Sequence, residues 1–239
     1  MKKIEVEKSK LYCEHWFPTQ IYYKDLPNST ELNKSLIKNI LKWKKDDEKG
    51  IRRSNTTGWH SAVNMHQKKE YKDITLELFK MQQEIFEDNN YCETTMPWID
   101  NMWANVNYKY SHNRNHVHPG AQWSGVYYIQ CPEKCGNIWF TDPRGQAHIE
   151  IPRFNKKNNQ KPQPRALREV YYQAIPGRLI MFPGWLTHEV EMNLSDLKGS
   201  KGWRMSISFN FKQINDPKKV QPAPIKGHAA IGKTLEDYE

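Results

Sequence analysis

The string Arg204-Met205-Ser206-Ile207-Ser208-Phe209-Asn210-Phe211 decides the fold, because polar and apolar side chains alternate along all eight positions. A period of two is typical of a β-strand whose two faces meet different surroundings. One face carries the polar set Arg204, Ser206, Ser208 and Asn210. Such a face fits a strand at the surface. It also fits a strand that lines a pocket, where a guanidinium binds a carboxylate through two hydrogen bonds and a serine hydroxyl adds one more.

Further short strands surround this one in the second half of the chain. They are predicted by β-branched and aromatic residues over 103–110, 123–129, 137–140, 170–175 and 178–182. Proline and glycine punctuate them, for example at Pro119-Gly120 and Pro176-Gly177. Many short strands separated by such turns favour a sandwich or jelly roll over a parallel sheet.

Two helices are predicted before the strands, over 28–49 and 68–87, from apolar residues that recur at helical spacing. We expect a single domain over 1–216, with a C-terminal extension over 217–239. Within it we expect three parts: a helical part over about 1–97, a β core over about 98–212 and a basic insertion over about 154–168.

Composition excludes several classes of protein. The four cysteines are too few for a disulfide framework in 239 residues. No apolar run follows the N-terminal lysines and no stretch approaches membrane-spanning length, so we expect a soluble protein of the cytoplasm with no membrane partner. The net charge of +9 comes from scattered lysines, which is more typical of a solvated surface than of a nucleic-acid footprint.

Three histidines form the main chemical motif. His116 and His118 lie two positions apart, and His188 follows in the string Phe182-Pro-Gly-Trp-Leu-Thr-His188. Residues two apart on a strand point to the same side, so the first pair would face the barrel interior together. Neutral imidazole binds iron, zinc, copper or nickel, and three protein ligands leave coordination positions open for catalysis.

The chain resembles a known family, the 2-oxoglutarate/Fe(II)-dependent oxygenases of the phage and marine-bacterial type, in the prolyl-hydroxylase-like superfamily. The resemblance covers roughly residues 10 to 212. It rests on the strings Gly58-Trp-His-Ser61, His116-x-His118-Pro119, Ser124-Gly-Val-Tyr-Tyr128, Phe140-Thr-Asp-Pro-Arg144, Pro176-Gly-Arg-Leu-Ile-Met-Phe-Pro183, His188 and Arg204-x-Ser206-x-Ser208-Phe-Asn210. It implies a mainly β fold with flanking α-helices, in which N-terminal helices pack on a double-stranded β-helix (jelly-roll or cupin-like) core.

The resemblance also implies a reaction and site residues. His116 and His188 would be Fe(II) ligands, and Arg204 with Ser206 would bind the distal carboxylate of the co-substrate 2-oxoglutarate. Tyr128 stands where relatives keep a tyrosine that contacts the same molecule. Dioxygen would convert 2-oxoglutarate to succinate and CO₂ while a C–H bond of a protein side chain or small molecule is hydroxylated. The cytoplasm would be that of a host cell if the protein is viral.

The departure from the family pattern lies at His118, where the superfamily usually has an aspartate or glutamate that completes a two-histidine, one-carboxylate face. Three arrangements remain open. In the first, His118 is itself a ligand. In the second, Asp142 supplies the carboxylate from a neighbouring strand end. In the third, the metal has two protein ligands and His118 lies next to them without binding the metal. Asp142-Pro143 is also ordinary turn chemistry.

Two other functions remain open. A cupin-type metalloenzyme with three histidines would not need 2-oxoglutarate. A non-enzymatic basic β-sandwich would bind nucleic acid, a partner that is possible but less favoured, through the lysines and arginines of the insertion: Lys156, Lys157, Lys161, Arg165 and Arg168. The insertion could instead be a lid that selects an acidic substrate. Neither the prime substrate nor the oligomeric state is indicated.

Overall fold

The computed structural model describes residues 17–149 and 166–219, which contain ten strands and two α-helices. The strands are β1 (Tyr22–Asp25), β2 (Trp59–His60), β3 (Thr95–Asn107), β4 (Asn113–His116), β5 (Trp123–Gln130), β6 (Ile138–Thr141), β7 (Glu169–Tyr172), β8 (Arg178–Pro183), β9 (His188–Val190) and β10 (Arg204–Asn215). The helices are α1 (Ser29–Asp46) and α2 (Lys72–Asp88).

The strands form two antiparallel sheets. The larger has the order β1-β8-β5-β10-β3-β2 and the smaller the order β4-β9-β6-β7. Side chains from the inner faces meet between them, as in the contact of Phe140 with Phe182, whose ring centroids are 4.8 Å apart. Most neighbouring strands are distant in sequence, which is the connectivity of a double-stranded β-helix. The predicted fold class, mainly β with flanking helices, is therefore confirmed.

Strand β10 shows why its two faces differ in polarity. Met205, Ile207, Phe209 and Phe211 are fully buried in the core between the larger sheet and the helices. The polar face turns inward, toward the smaller sheet. Arg204 on that face is only 1% exposed, so the surface-strand alternative is wrong and this strand lines a pocket.

Both helices cover the outer face of the larger sheet, in agreement with the packing on the β core that the resemblance implied. Leu36 and Ile40 of α1, with Ile74 and Leu78 of α2, join the same core as β10. The predicted boundaries are wrong by a few residues. Helix α1 ends at Asp46 rather than 49, and two 3₁₀ turns (Met65–Gln67 and Lys69–Tyr71) precede α2.

The sequence analysis missed four strands, β1, β2, β4 and β9, which have only two to four residues each. Strands β6 and β7 are also four residues long, but their aromatic and β-branched residues indicated them. A strand of that length has too few positions to display a period of two. Strand β3 is also longer than expected, beginning at Thr95, since β10 extends to Asn215 and pairs with it throughout.

Parts of the predicted organisation lie outside the described residues, namely most of the basic insertion and most of the C-terminal extension. The domain boundaries stay predictions. Within residues 17–149 and 166–219, neither helix is both long enough and apolar enough to cross a membrane.

Candidate metal centre and co-substrate pocket

The three predicted histidines meet at one point between the sheets. His116 ends β4 and pairs across the strands with His188, which begins β9. His118 lies two residues beyond β4, where its backbone N–H donates to the Gly184 carbonyl over 2.8 Å. The ring centroids are separated by 4.3 Å (116 to 188) and by 5.1 Å (118 to each of the others). One ligand nitrogen from each histidine lies within 4.8 Å of the other two, a spacing that can hold a metal ion.

Hydrogen bonds select the same tautomer for all three rings. Nδ1 of His116 lies 2.6 Å from the Arg114 carbonyl, and Nδ1 of His188 lies 2.9 Å from the Leu186 carbonyl. Nδ1 of His118 lies 2.5 Å from Oδ1 of Asn210. Because each partner is an acceptor, each Nδ1 carries the proton and each Nε2 keeps its lone pair. Metal-binding histidines are oriented in this way.

Burial keeps these imidazoles neutral. It lowers the pKa of all three, most strongly for His188, whose pKa falls from 6.5 to about 3 with a further contribution from the neighbouring His116. A neutral imidazole is the form that binds metal. The site is therefore deprotonated at neutral pH before any metal arrives.

The low pKa of His188 has a consequence for the metal-free protein. Its stability should fall as the pH drops from about 6.5 toward about 3, because the unfolded chain then binds a proton that the folded site resists. Thermal unfolding of metal-free protein across this range measures the effect. His188→Gln should make the dependence shallower, and an unchanged profile in that variant would contradict the assignment of the effect to His188.

Asn210 holds His118 through a chain of polar contacts. Its Oδ1 also accepts the Ser124 hydroxyl at 2.7 Å, and its Nδ2 donates to Asn101 Oδ1 at 2.6 Å. Asn101 donates in turn to Asp100, which forms a salt bridge of 2.8 Å with Lys212. These bonds fix which end of the Asn210 amide faces the histidine, and the Asn210 oxygen in turn holds the His118 ring through Nδ1.

A cavity of about 670 Å³ extends from the histidines between the sheets. Arg204 is buried at the cavity wall, where its Nη1 donates to the carbonyls of Cys135 and Glu191, the latter at 3.0 Å. Its Nη2 has no hydrogen-bond partner among the described residues, and neither has the buried hydroxyl of Tyr128. Ser206 lines the same cavity. Two buried polar groups without partners are costly, and they fit a ligand that supplies acceptors.

The charge of Arg204 favours an anionic ligand. Burial lowers its pKa, and burial raises the pKa of Tyr128. A guanidinium still keeps its proton and Tyr128 its hydroxyl hydrogen, so both groups can donate to one carboxylate. The predicted set Arg204, Ser206 and Tyr128 thus lies together, and its chemistry fits the distal carboxylate of 2-oxoglutarate.

Asp142 does not join this constellation. It follows β6 and forms a salt bridge of 2.7 Å with Arg144, two residues away. It belongs neither to the group of potential ligands nor to the cavity lining found in the described residues. Its geometry matches the turn interpretation of the Asp142-Pro143 string.

The sequence analysis missed one wall of the cavity. Asn101, Trp103, Asn105 and Asn107 of β3 all line it, and His60 of β2 stacks on Trp103 with ring centroids 5.3 Å apart. These four β3 residues alternate with apolar ones, so the period of two contained the signal. His60 had only the string Gly58-Trp-His-Ser61 to indicate it.

Comparison with known proteins accounts for this arrangement. Residues 101–210 match the family described as "Putative 2OG-Fe(II) oxygenase". Over these residues, which form most of the β core, the chain is similar to the 2OG-Fe(II) oxygenases. The matched range contains the three histidines and the Arg204, Ser206 and Tyr128 set. The protein is therefore an enzyme of the iron(II)- and 2-oxoglutarate-dependent oxygenase class. The match favours this function over the cupin-type and nucleic-acid-binding alternatives.

Solved structures of low sequence identity share the fold. One is the epimerase SnoN of nogalamycin biosynthesis, in complex with Fe³⁺, alpha ketoglutarate and nogalamycin RO (11% identity, 89% of this chain and 88% of that one, TM-score 0.57). Another is a prolyl-4-hydroxylase of Pseudomonas putida (14% identity, 81% and 92%, TM-score 0.53). A third is a prolyl hydroxylase of Trichoplax adhaerens with a hypoxia inducible factor peptide (12% identity, 83% and 84%, TM-score 0.51). No curated protein matches the chain.

Proposed function

We propose that the enzyme hydroxylates a C–H bond of a protein side chain or small molecule, with His116, His118 and His188 as the iron ligands. Arg204, Ser206 and Tyr128 bind the distal carboxylate of 2-oxoglutarate. The observation that carries this proposal is the pair of unpartnered donors, Arg204 Nη2 and the Tyr128 hydroxyl, in the same cavity as the three histidines.

Iron(II), when bound, supplies the redox chemistry: dioxygen is consumed, 2-oxoglutarate becomes succinate and CO₂, and one oxygen atom is inserted into the substrate C–H bond. The residues of the chain bind the metal and the co-substrate and orient them. These three neutral ligands would leave coordination positions open and would add no negative charge to the metal.

The apolar wall of the cavity shields the reacting groups. Val126, Ile138 and Phe182 line the cavity and are at most 7% exposed, and the Phe182 ring lies 4.6 Å from that of His188, centroid to centroid. This apolar wall disfavours water beside the co-substrate, where water would weaken the Arg204 contact and compete for open metal positions. Trp103 of β3 lines the same cavity, and we place the prime substrate against it.

An anaerobic titration of iron-loaded protein with 2-oxoglutarate tests the proposal. We expect a weak visible charge-transfer absorption as the co-substrate chelates the metal, and saturable binding by calorimetry. Glutarate, which keeps both carboxylates but lacks the 2-oxo group, is the matched control and should give no such band. Absence of both the band and the heat for 2-oxoglutarate would contradict the proposed function.

A further inference from the structure

The residues that line the cavity carry an unbalanced positive charge. Of the described residues that line it, two are arginines, Arg53 and Arg204, and none is aspartate or glutamate. The three histidines are neutral, so a metal ion bound there would add positive charge with no protein carboxylate to offset it. The co-substrate and Arg204 account for one pair of opposite charges. Arg53 remains.

Arg53 stands on an ordered segment. Its backbone N–H donates to Asn55 Oδ1 at 2.7 Å. The next residue, Ser54, accepts the Arg114 backbone N–H at 3.2 Å and the Asn113 side chain at 3.1 Å, which ties the segment to β4. The Arg53 guanidinium has no ion pair or hydrogen bond within residues 17–149 and 166–219. It is a free donor beside a cavity.

An aromatic surface connects Arg53 with the metal ligands. Burial lowers the pKa of His60 and the positive charge of Arg53 lowers it further, as expected if the guanidinium lies close to that ring. His60 stacks nearly parallel on Trp103, at 11° between the ring planes. Trp103 in turn lies 6.0 Å from the His118 ring, centroid to centroid. A chain of carbon atoms can lie along this surface.

We infer that Arg53 binds a carboxylate of the prime substrate, whose saturated carbon chain lies on Trp103 and presents a C–H bond to the metal. The inference rests on the proposed function and names its substrate class: an aliphatic carboxylic acid, either the side chain of an acidic residue in a peptide or a free acidic amino acid. A guanidinium recognises carboxylate through two parallel hydrogen bonds, and Trp103 offers apolar contact for methylene groups.

Pairs of probes that differ only in charge test the inference. The peptide-like pair is N-acetyl-glutamate amide and N-acetyl-glutamine amide, and the free pair is glutamate and glutamine, with the aspartate and asparagine counterparts of each. Binding is measured by calorimetry on anaerobic protein loaded with iron(II) and 2-oxoglutarate. We expect at least one acid to bind about tenfold tighter than its amide, the effect of one charge-assisted contact. The pair that shows the difference identifies the peptide or the free amino acid as the source.

The matched control is the neighbouring Arg52, which is exposed like Arg53 but does not line the cavity. Arg53→Ala should abolish the preference for the acid, Arg53→Lys should retain part of it, and Arg52→Ala should leave it unchanged. Equal binding of acid and amide in the wild type, no acid binding at all, or equal losses in the Arg52 and Arg53 variants would overturn the inference. In those cases 2-oxoglutarate binding stays intact. If the proposed function itself were wrong, the result would be different, because the wild type would bind no 2-oxoglutarate.

Discussion

Arg204→Ala should weaken 2-oxoglutarate binding at least about 30-fold while the metal stays bound. Truncating one partner of a buried, hydrogen-bonded charge pair costs about 2–5 kcal/mol, and 1.4 kcal/mol corresponds to tenfold in affinity. Arg204 is 1% exposed, so water cannot replace the lost guanidinium. Calorimetric titration of iron-loaded protein with 2-oxoglutarate measures the change, and a parallel titration with iron(II) shows whether the histidine site survives.

Two further variants separate binding from folding. The Arg204 Nη1 group also donates to the carbonyls of Cys135 and Glu191, so alanine leaves these without a partner and lowers stability. Arg204→Lys keeps the charge and should recover part of the affinity. Tyr128→Phe removes only a hydroxyl that has no partner among the described residues, and should cost about 1–3 kcal/mol of binding with no loss of stability. Full co-substrate affinity in Arg204→Ala would refute the assignment.

The sequence was most informative where chemistry and periodicity coincide. The alternation over 204–211 predicted a strand with two distinct faces, and the structure explains both: phenylalanines enter the core while Arg204 reaches the cavity. The i, i+2 spacing of His116 and His118 predicted convergence. Their meeting with His188 could not follow from spacing, because it depends on the pairing of β4 with β9, two short strands that the sequence analysis did not recognise.

The substrate side of the cavity was harder to foresee for a physical reason. Its residues come from separate segments, His60 and Arg53 before α2 and Trp103 after it, and only tertiary packing brings them together. The hydrogen-bond partner of His118, Asn210, was hard to predict for the same reason. Asn210 lay on the polar face predicted for β10, yet its role depends on an amide orientation that Ser124 and Asn101 fix from two other strands.

His118→Ala should weaken iron(II) binding by at least about 100-fold if His118 is a ligand. Replacing a residue that only orients a ligand costs about 10–100-fold, and Asn210→Ala provides that comparison within the same hydrogen-bonded chain. Asp142→Asn should leave the iron(II) affinity unchanged, since that carboxylate pairs with Arg144 and does not line the cavity. Anaerobic competition with a chelator measures all three affinities.

The outcomes distinguish the three arrangements that the sequence left open. Equal losses in His118→Ala and Asn210→Ala would leave the metal with two protein ligands, and a large loss in Asp142→Asn would make that residue the third. His118→Asp completes the test, because a carboxylate at this position would create the two-histidine, one-carboxylate face typical of non-haem iron oxygenases. If His118 is a ligand, this variant should retain iron where His118→Ala loses it. It should also bind 2-oxoglutarate less tightly than the wild type, since the added negative charge lies beside an anionic co-substrate.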